Sequence, residues 1–176
     1  PDETENIHRL EDSLKNVTYI HNKNEPWRGC KSTVYIEPYE NRDFGDLKLY
    51  SVQGTHYNPS LAYLLEIDGL HIYYHNYGID DPEQYRVELD SLQKHTEDVD
   101  IAFLPLPEPG QEEASGLKSI LENIHPKAIF FHDYNRRSHL LPQVAAKLNA
   151  WGYDISVYCA ENPGDHFLFG LGDYIK

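Results

Sequence analysis

The chain contains no methionine and only two cysteines among its 176 residues. Cys30 and Cys159 form no CxxC pair and no zinc-ribbon spacing, which excludes a cysteine-built metal knuckle and leaves a single disulfide open. With Pro1 as its first residue and no Met anywhere, the sequence is expected to be a processed form, an excised piece, or a chain that has lost residues. No apolar run approaches the eighteen or so residues that a membrane-spanning helix needs. No basic-then-apolar segment opens the chain, so no signal peptide is visible, and a soluble cytoplasmic protein is the expectation. Positive charge is scarce: 15 Lys and Arg face 29 Asp and Glu, for a net charge of -14. Such a surface repels phosphate backbones and anionic bilayers, so the expected partner is a small-molecule substrate, with a homo-oligomer left open and nucleic acid not expected. Two catalytic signatures are also missing. There is no G-x-S-x-G nucleophile elbow and no G-x-x-x-x-G-K-[ST] phosphate loop. The glycines from Gly164 to Gly172 follow no strand-to-helix crossover and read as turns.

What is present describes a globular α/β chain: 40% hydrophobic residues and 25% charged. Ile7, Leu10 and Leu14 are spaced for a short amphipathic helix over residues 4–14. Val17–Ile20 and Thr33–Glu37 read as strands around a polar loop carrying Trp27, and a turn is expected over Asn41–Asp46. Leu47–Gln53 alternates in character as a strand does. Leu61–Ile67 and Leu70–His75 flank Asp68-Gly69, the dipeptide of a type I′ hairpin. The pattern then changes to helices alternating with strands. Asp81-Pro82-Glu83-Gln84 has the cap, the first-turn proline and the capping-box glutamine of a helix start, with Tyr85, Leu89 and Leu92 on one face. Val99–Leu104, Lys127–Phe131, Asp154–Tyr158 and His166–Phe169 read as strands. Further helices are expected over Glu113–Ile124 and Ser138–Ala150, the last stopped by Gly152. A meander followed by strand–helix alternation predicts helices covering a sheet.

Histidine carries the chemical information, with ten copies. His71 and His75 have helical metal-pair spacing but lie in a strand-like run, where their Cα atoms would be roughly 13 Å apart. His8, His21, His95 and His125 read as ordinary helix or loop residues. His56 and His132 differ, because each follows directly on an expected strand. His56 precedes Asn58-Pro59 and His132 precedes Asp133. Strand-end loops on a rigid sheet are where sites concentrate, and imidazole is the commonest metal ligand.

Four segments in order resemble the C-terminal half of the metallo-β-lactamase superfamily, in its broad hydrolase branch that includes ascorbate-phosphate lactonase-like proteins. They are Leu47–His56 with Ala62–Asp68, then Gly69–Gly78, then Val99–Pro105 as a "D-h-h-h-L-P" strand, and His125–Asp133 as "HPKAIFFHD". The likeness runs from about residue 30 to 172, with Gly164–Gly170 similar to the closing strand. It implies an αββα sandwich over residues 1–176, incomplete at its N-terminus. It also implies a divalent metal, zinc foremost and manganese or iron next, that activates water against an ester, lactone, amide or phosphodiester. By resemblance His56 and His132 are metal ligands. Tyr57, His75, Asn76, Tyr134 and Arg136 are expected to line the substrate, with Arg137 beside Arg136; sheet packing of the tyrosines and a solvated helix start at the arginines are the alternatives.

Two departures from the family pattern stand out. The family's His-x-His-x-Asp-His signature is absent, and Asn76 or His75 stands where a bridging Asp belongs. A carboxylate can bridge two cations and an amide cannot, and catalytic zinc generally takes three protein ligands. The resemblance therefore implies hydrolysis only if further ligands exist. A degenerate, metal-free member serving as a binding protein is the alternative, and a superficially similar α/β binding module is the third.

Overall fold

A computed structural model of the chain describes residues 17–24, 32–54, 60–75, 82–96, 98–107, 110, 116–132, 138–160 and 165–167. The helix expected over residues 4–14, the Trp27 loop and the Asp81 cap lie outside them.

The described elements are β1 (Tyr19–Asn22), β2 (Thr33–Ile36), β3 (Asn41–Asp43), β4 (Leu47–Gln53), β5 (Leu61–Ile67), β6 (Leu70–Tyr74), α1 (Pro82–Leu92), β7 (Ile101–Pro105), α2 (Leu117–Ile124), β8 (Ala128–His132), a 3-10 turn (Ser138–Leu140) leading into α3 (Leu141–Ala150), and β9 (Ser156–Cys159). Seven strands form one sheet in chain order, β3 to β9. Neighbours are antiparallel from β3 to β6 and parallel from β6 to β9. The parallel half follows from its connections, since a helix between strands carries the chain back to the starting edge. β1 and β2 pair in parallel as a separate two-stranded sheet.

The Asp68-Gly69 hairpin forms as the sequence predicts, with φ of 51° and 79°, both positive as a type I′ turn requires. The turn expected over Asn41–Asp46 is narrower. Asn41–Asp43 pair with β4 as a strand, and the reversal is confined to Phe44–Asp46. There the Asp43 carboxylate accepts the N–H of Gly45, and Phe44 donates to the Leu47 carbonyl, both at 2.8 Å. α2 begins at Leu117 rather than Glu113, because Gly116 has a left-handed φ of 69° that no helical residue can share. The first turn of the last helix is 3-10. Its end is closed by Gly152, whose φ is 88°, with the Tyr153 N–H donating to Leu148 O at 3.0 Å.

Strand parity sorts the side chains. Tyr50, Val52, Leu64, Tyr73, Leu104, Ile129 and Phe131 face the helices and are buried with Tyr85, Leu89 and Leu92 of α1, Ile120, Leu121 and Ile124 of α2, and Val144 and Leu148 of α3. The opposite face carries Leu49, Leu61, Tyr63 and Leu65, on which Ile20, Val34 and Ile36 of the small sheet pack. The described architecture is therefore helices, a large sheet and a small second sheet. No described helix covers the outside of the small sheet.

The amino ends of the parallel strands are tied by Asp100. Its carboxylate, 5% exposed, accepts Lys127 Nζ at 2.6 Å and the His71 N–H at 2.8 Å. Its backbone donates to His71 O and accepts from Ala128 N. Burial pushes this carboxyl's pKa upward, but the bonds from Lys127 and His71 outweigh it and hold the group below its usual value.

Candidate functional site

The carboxyl ends of parallel strands are where α/β sheets bind ligands. Three such ends lie side by side here. β6 ends at Tyr74, β7 at Pro105 and β8 at His132, with Tyr74 opposite Phe103 and Pro105 opposite His132. His75 follows β6 and donates its N–H to Phe103 O at 3.0 Å. In a parallel ladder the reciprocal bond to the His75 carbonyl would come from the N–H of residue 105. That residue is Pro105, which has no N–H. The His132 ring supplies the missing donor: its Nε2 lies 2.9 Å from His75 O. The imidazole reaches across the end of β7 to the second strand away, a span of about 10 Å between strand axes.

A carbonyl only accepts, so Nε2 carries a proton in this bond. An imidazole anchored to a backbone carbonyl through one nitrogen is the arrangement that orients metal-ligating histidines. The Tyr74 ring stacks on His132, with centroids 5.9 Å apart.

His75 itself is buried, 2% exposed, on the helix-covered side. Its ring meets Tyr85 edge-on at 5.1 Å and lies 6.1 Å from Tyr73. What it offers the His132 side of the sheet is its carbonyl. His71 lies at the other end of β6, where its Nδ1 is 3.2 Å from Thr96 Oγ1.

His56, Tyr57, Asn76, Tyr134 and Arg136, with Arg137, lie outside the described residues. The flanks of the His56 segment are described. β4 runs parallel in direction to β6, so Gly54 and Ser60 lie at the same end of the sheet as His75 and His132. The segment is closed by Gly54 N donating to Ser60 O at 2.7 Å. A Cβ at Gly54 would overlap Ser60 Oγ and stand 2.9 Å from Ser60 O, so glycine is required for that approach. Four strand spacings separate β4 from β8, about 19 Å.

Glu88 is a buried acid at the end of β4 that sequence reasoning missed. It is 7% exposed, accepts Tyr39 Oη–H at 2.6 Å, and accepts the Gln53 N–H at 3.0 Å, fixing α1 to the end of β4. The bond to Glu88, burial and the carboxylate's charge push the Tyr39 phenol up to about 12. Its position in the sequence, between Tyr85 and Leu92 on the apolar face of α1, was the available signal. Asp100 and Lys127 were missed likewise, because no local pattern joins residues 27 apart.

Among the described residues no group of three His, Cys, Asp or Glu could hold a metal ion. Of the two histidines expected to bind metal, His132 alone is described, and its ring is anchored to a backbone carbonyl. No described helix is long and apolar enough to cross a membrane.

No family model matches the chain. No curated protein matches it either. Solved structures do. A metallo hydrolase from the hyperthermophilic archaeon Ignicoccus hospitalis KIN4/I is similar with a TM-score of 0.57 and 10% identity, over 97% of this chain and 74% of that one. The diiron β-hydroxylase CmlA from Streptomyces venezuelae gives a TM-score of 0.48 and 11% identity, over 74% of this chain and 33% of that one. A candidate zinc-dependent hydrolase of the metallo-β-lactamase superfamily from Thermotoga maritima gives 0.42 and 16%, over 68% and 61%. The chain thus spans about a third of the hydroxylase and three-fifths of the zinc-dependent hydrolase. Its mixed sheet with three helices on one face is a fold shared with the Ignicoccus metallo hydrolase.

Proposed function

We propose that this chain is the scaffold of a metal-dependent hydrolase of the metallo-β-lactamase type, with His132 and His56 as metal ligands and an ester, lactone or phosphodiester as substrate. The observation that carries the reading is the His132–His75 carbonyl bond, which anchors the imidazole at the carboxyl ends of three parallel strands. A bound divalent ion, zinc foremost, would lower the pKa of a coordinated water and polarise the bond under attack. The protein's own part is orientation. Pro105 keeps the His75 carbonyl available, Tyr74 packs the imidazole from one side, and the Gly54–Ser60 closure frames the His56 segment. Tyr57, Asn76, Tyr134 and Arg136 are proposed to line the substrate, with Arg136 suited to an anionic group.

Asn76, where a bridging carboxylate would stand, favours the second reading, a metal-free member that keeps the fold for binding. Metal analysis separates the two. After dialysis against zinc, manganese or iron, the hydrolase reading expects stoichiometric metal in the wild-type protein and a large loss in His132→Ala with the circular dichroism unchanged. Equal metal content in both proteins would sink it.

A further inference from the structure

Between the large sheet and the small one lies a cavity of about 440 Å³, lined by aliphatic and aromatic side chains. Its floor is Leu49, Leu65 and Ile72, side chains of the face opposite the helices. Ile20 of β1 forms its roof, and Tyr74 and Phe103 close the side toward the parallel strands. It exists because β1 and β2 pack on the antiparallel half of the sheet, while the parallel half presents a row of rings. Tyr74, Phe103, Phe130 and Tyr158 follow one another at centroid separations of 6.5, 5.4 and 4.7 Å. The volume falls within the roughly 300–1,000 Å³ of small-molecule sites.

Two further observations identify the guest. The wall residue Tyr74 is the ring that stacks on His132, so the cavity and the candidate site share one side chain. The chain's net charge of -14 opposes an anionic occupant. We infer that this cavity receives the neutral apolar acyl or aryl group of an ester whose carbonyl lies beside His132. This inference rests on the proposed hydrolase reading and narrows it to apolar esters. In the reaction the oxygen of water bonds to the acyl carbon and the acyl–oxygen bond breaks. The alcohol leaves with a proton, giving one acid and one alcohol.

Two measurements on the full chain test it. The first follows hydrolysis of 4-nitrophenyl esters, from acetate to octanoate, by zinc-supplied protein. Burial of each methylene predicts a gain of about fourfold in kcat/KM per carbon until the cavity is full. The second titrates chelator-treated protein with N-phenyl-1-naphthylamine, a neutral fluorescent probe, and displaces it with 1-octanol. Saturable, displaceable binding is expected, weakened at least tenfold in Ile72→Trp, which fills the floor. The same variant should flatten the octanoate-to-acetate ratio. Leu65→Phe serves if Ile72→Trp does not fold, and the wild-type series stands without either. Probe binding lost in the filled variant but no ester hydrolysis with any metal would overturn the hydrolase reading while supporting the cavity as an apolar ligand site. Metal-dependent hydrolysis indifferent to acyl length, without probe binding, would overturn the cavity assignment and leave the hydrolase reading intact.

Discussion

Asp100 offers a stringent test of how the parallel strands are held together. Asp100→Asn keeps the shape of the side chain but removes its charge and replaces one acceptor oxygen with a donor. Two donors now converge on the carboxylate, Lys127 Nζ at 2.6 Å and His71 N at 2.8 Å, and the variant can satisfy one of them. A hydrogen bond to a charged group contributes roughly 1.5–3 kcal/mol. The Lys127 side chain is 60% exposed, so its share is discounted to at most about 1 kcal/mol. The His71 amide belongs to a strand end and stays fixed, so most of the loss arises there. With the remaining oxygen kept by Lys127, the loss is about 1.5–3 kcal/mol, or a fall in Tm of about 3–12 °C for a chain of this size. The pH dependence has a definite sign. The Asp100 carboxyl titrates below its unfolded value, so its contribution is complete above the unfolded pKa, near 4, and is lost as pH falls through the folded one. Urea unfolding of both proteins should show the full gap near neutral pH and a smaller gap at about pH 3. Lys127→Ala should cost about 1 kcal/mol or less. A gap that does not change with pH, or a lysine variant as costly as the aspartate one, would refute this account.

Other expectations follow from the carboxyl ends of the strands. Pro105→Ala restores a backbone N–H that competes with the His132 ring for the His75 carbonyl. The zinc affinity, read by competition with a chelating dye, should fall roughly 10–100-fold while circular dichroism stays the same; an unchanged affinity counts against the anchoring argument. Glu88→Gln removes the charge facing Tyr39, so the phenol should drop from about 12 toward its ordinary value in an ultraviolet titration. In the wild type the same linkage means that the Tyr39 contribution is present below an ordinary tyrosine pKa and is lost as pH rises through about 12. Gly54→Ala pushes a methyl group against the Ser60 backbone, and should destabilise the protein by about 1–3 kcal/mol in urea. Normal stability there would mean that Ser60 has room to retreat.

Local rules were legible where a single residue dictates backbone conformation. Asp68-Gly69 marked its hairpin, Gly152 its helix stop, and the spacing of Tyr85, Leu89 and Leu92 the buried face of α1. Parity also held the answer for His75: it shares a face with Tyr73, which is buried under the helices. Reading it against Tyr73 rather than against His71 would have sent its ring inward. Strand β3 was hidden because three polar residues at a sheet edge carry no apolar alternation, only backbone bonds to β4. The helix at Leu117 started late for a similar reason. Glu113 suited a first turn in sequence, but Gly116 takes up a conformation that the sequence permits without announcing. His132 was legible as a strand-end residue; its anchoring to a carbonyl two strands away depended on tertiary proximity that only coordinates supply.

Pro105 has no reactive group, yet it governs what its neighbours can do. Having no N–H, it cannot return the ladder bond to the His75 carbonyl, and a side chain from elsewhere in the chain donates there. A survey restricted to acids, bases and nucleophiles would pass over this position. Any redesign of this rim should treat it as fixed: any other residue there would return the proton and set the ladder against the imidazole.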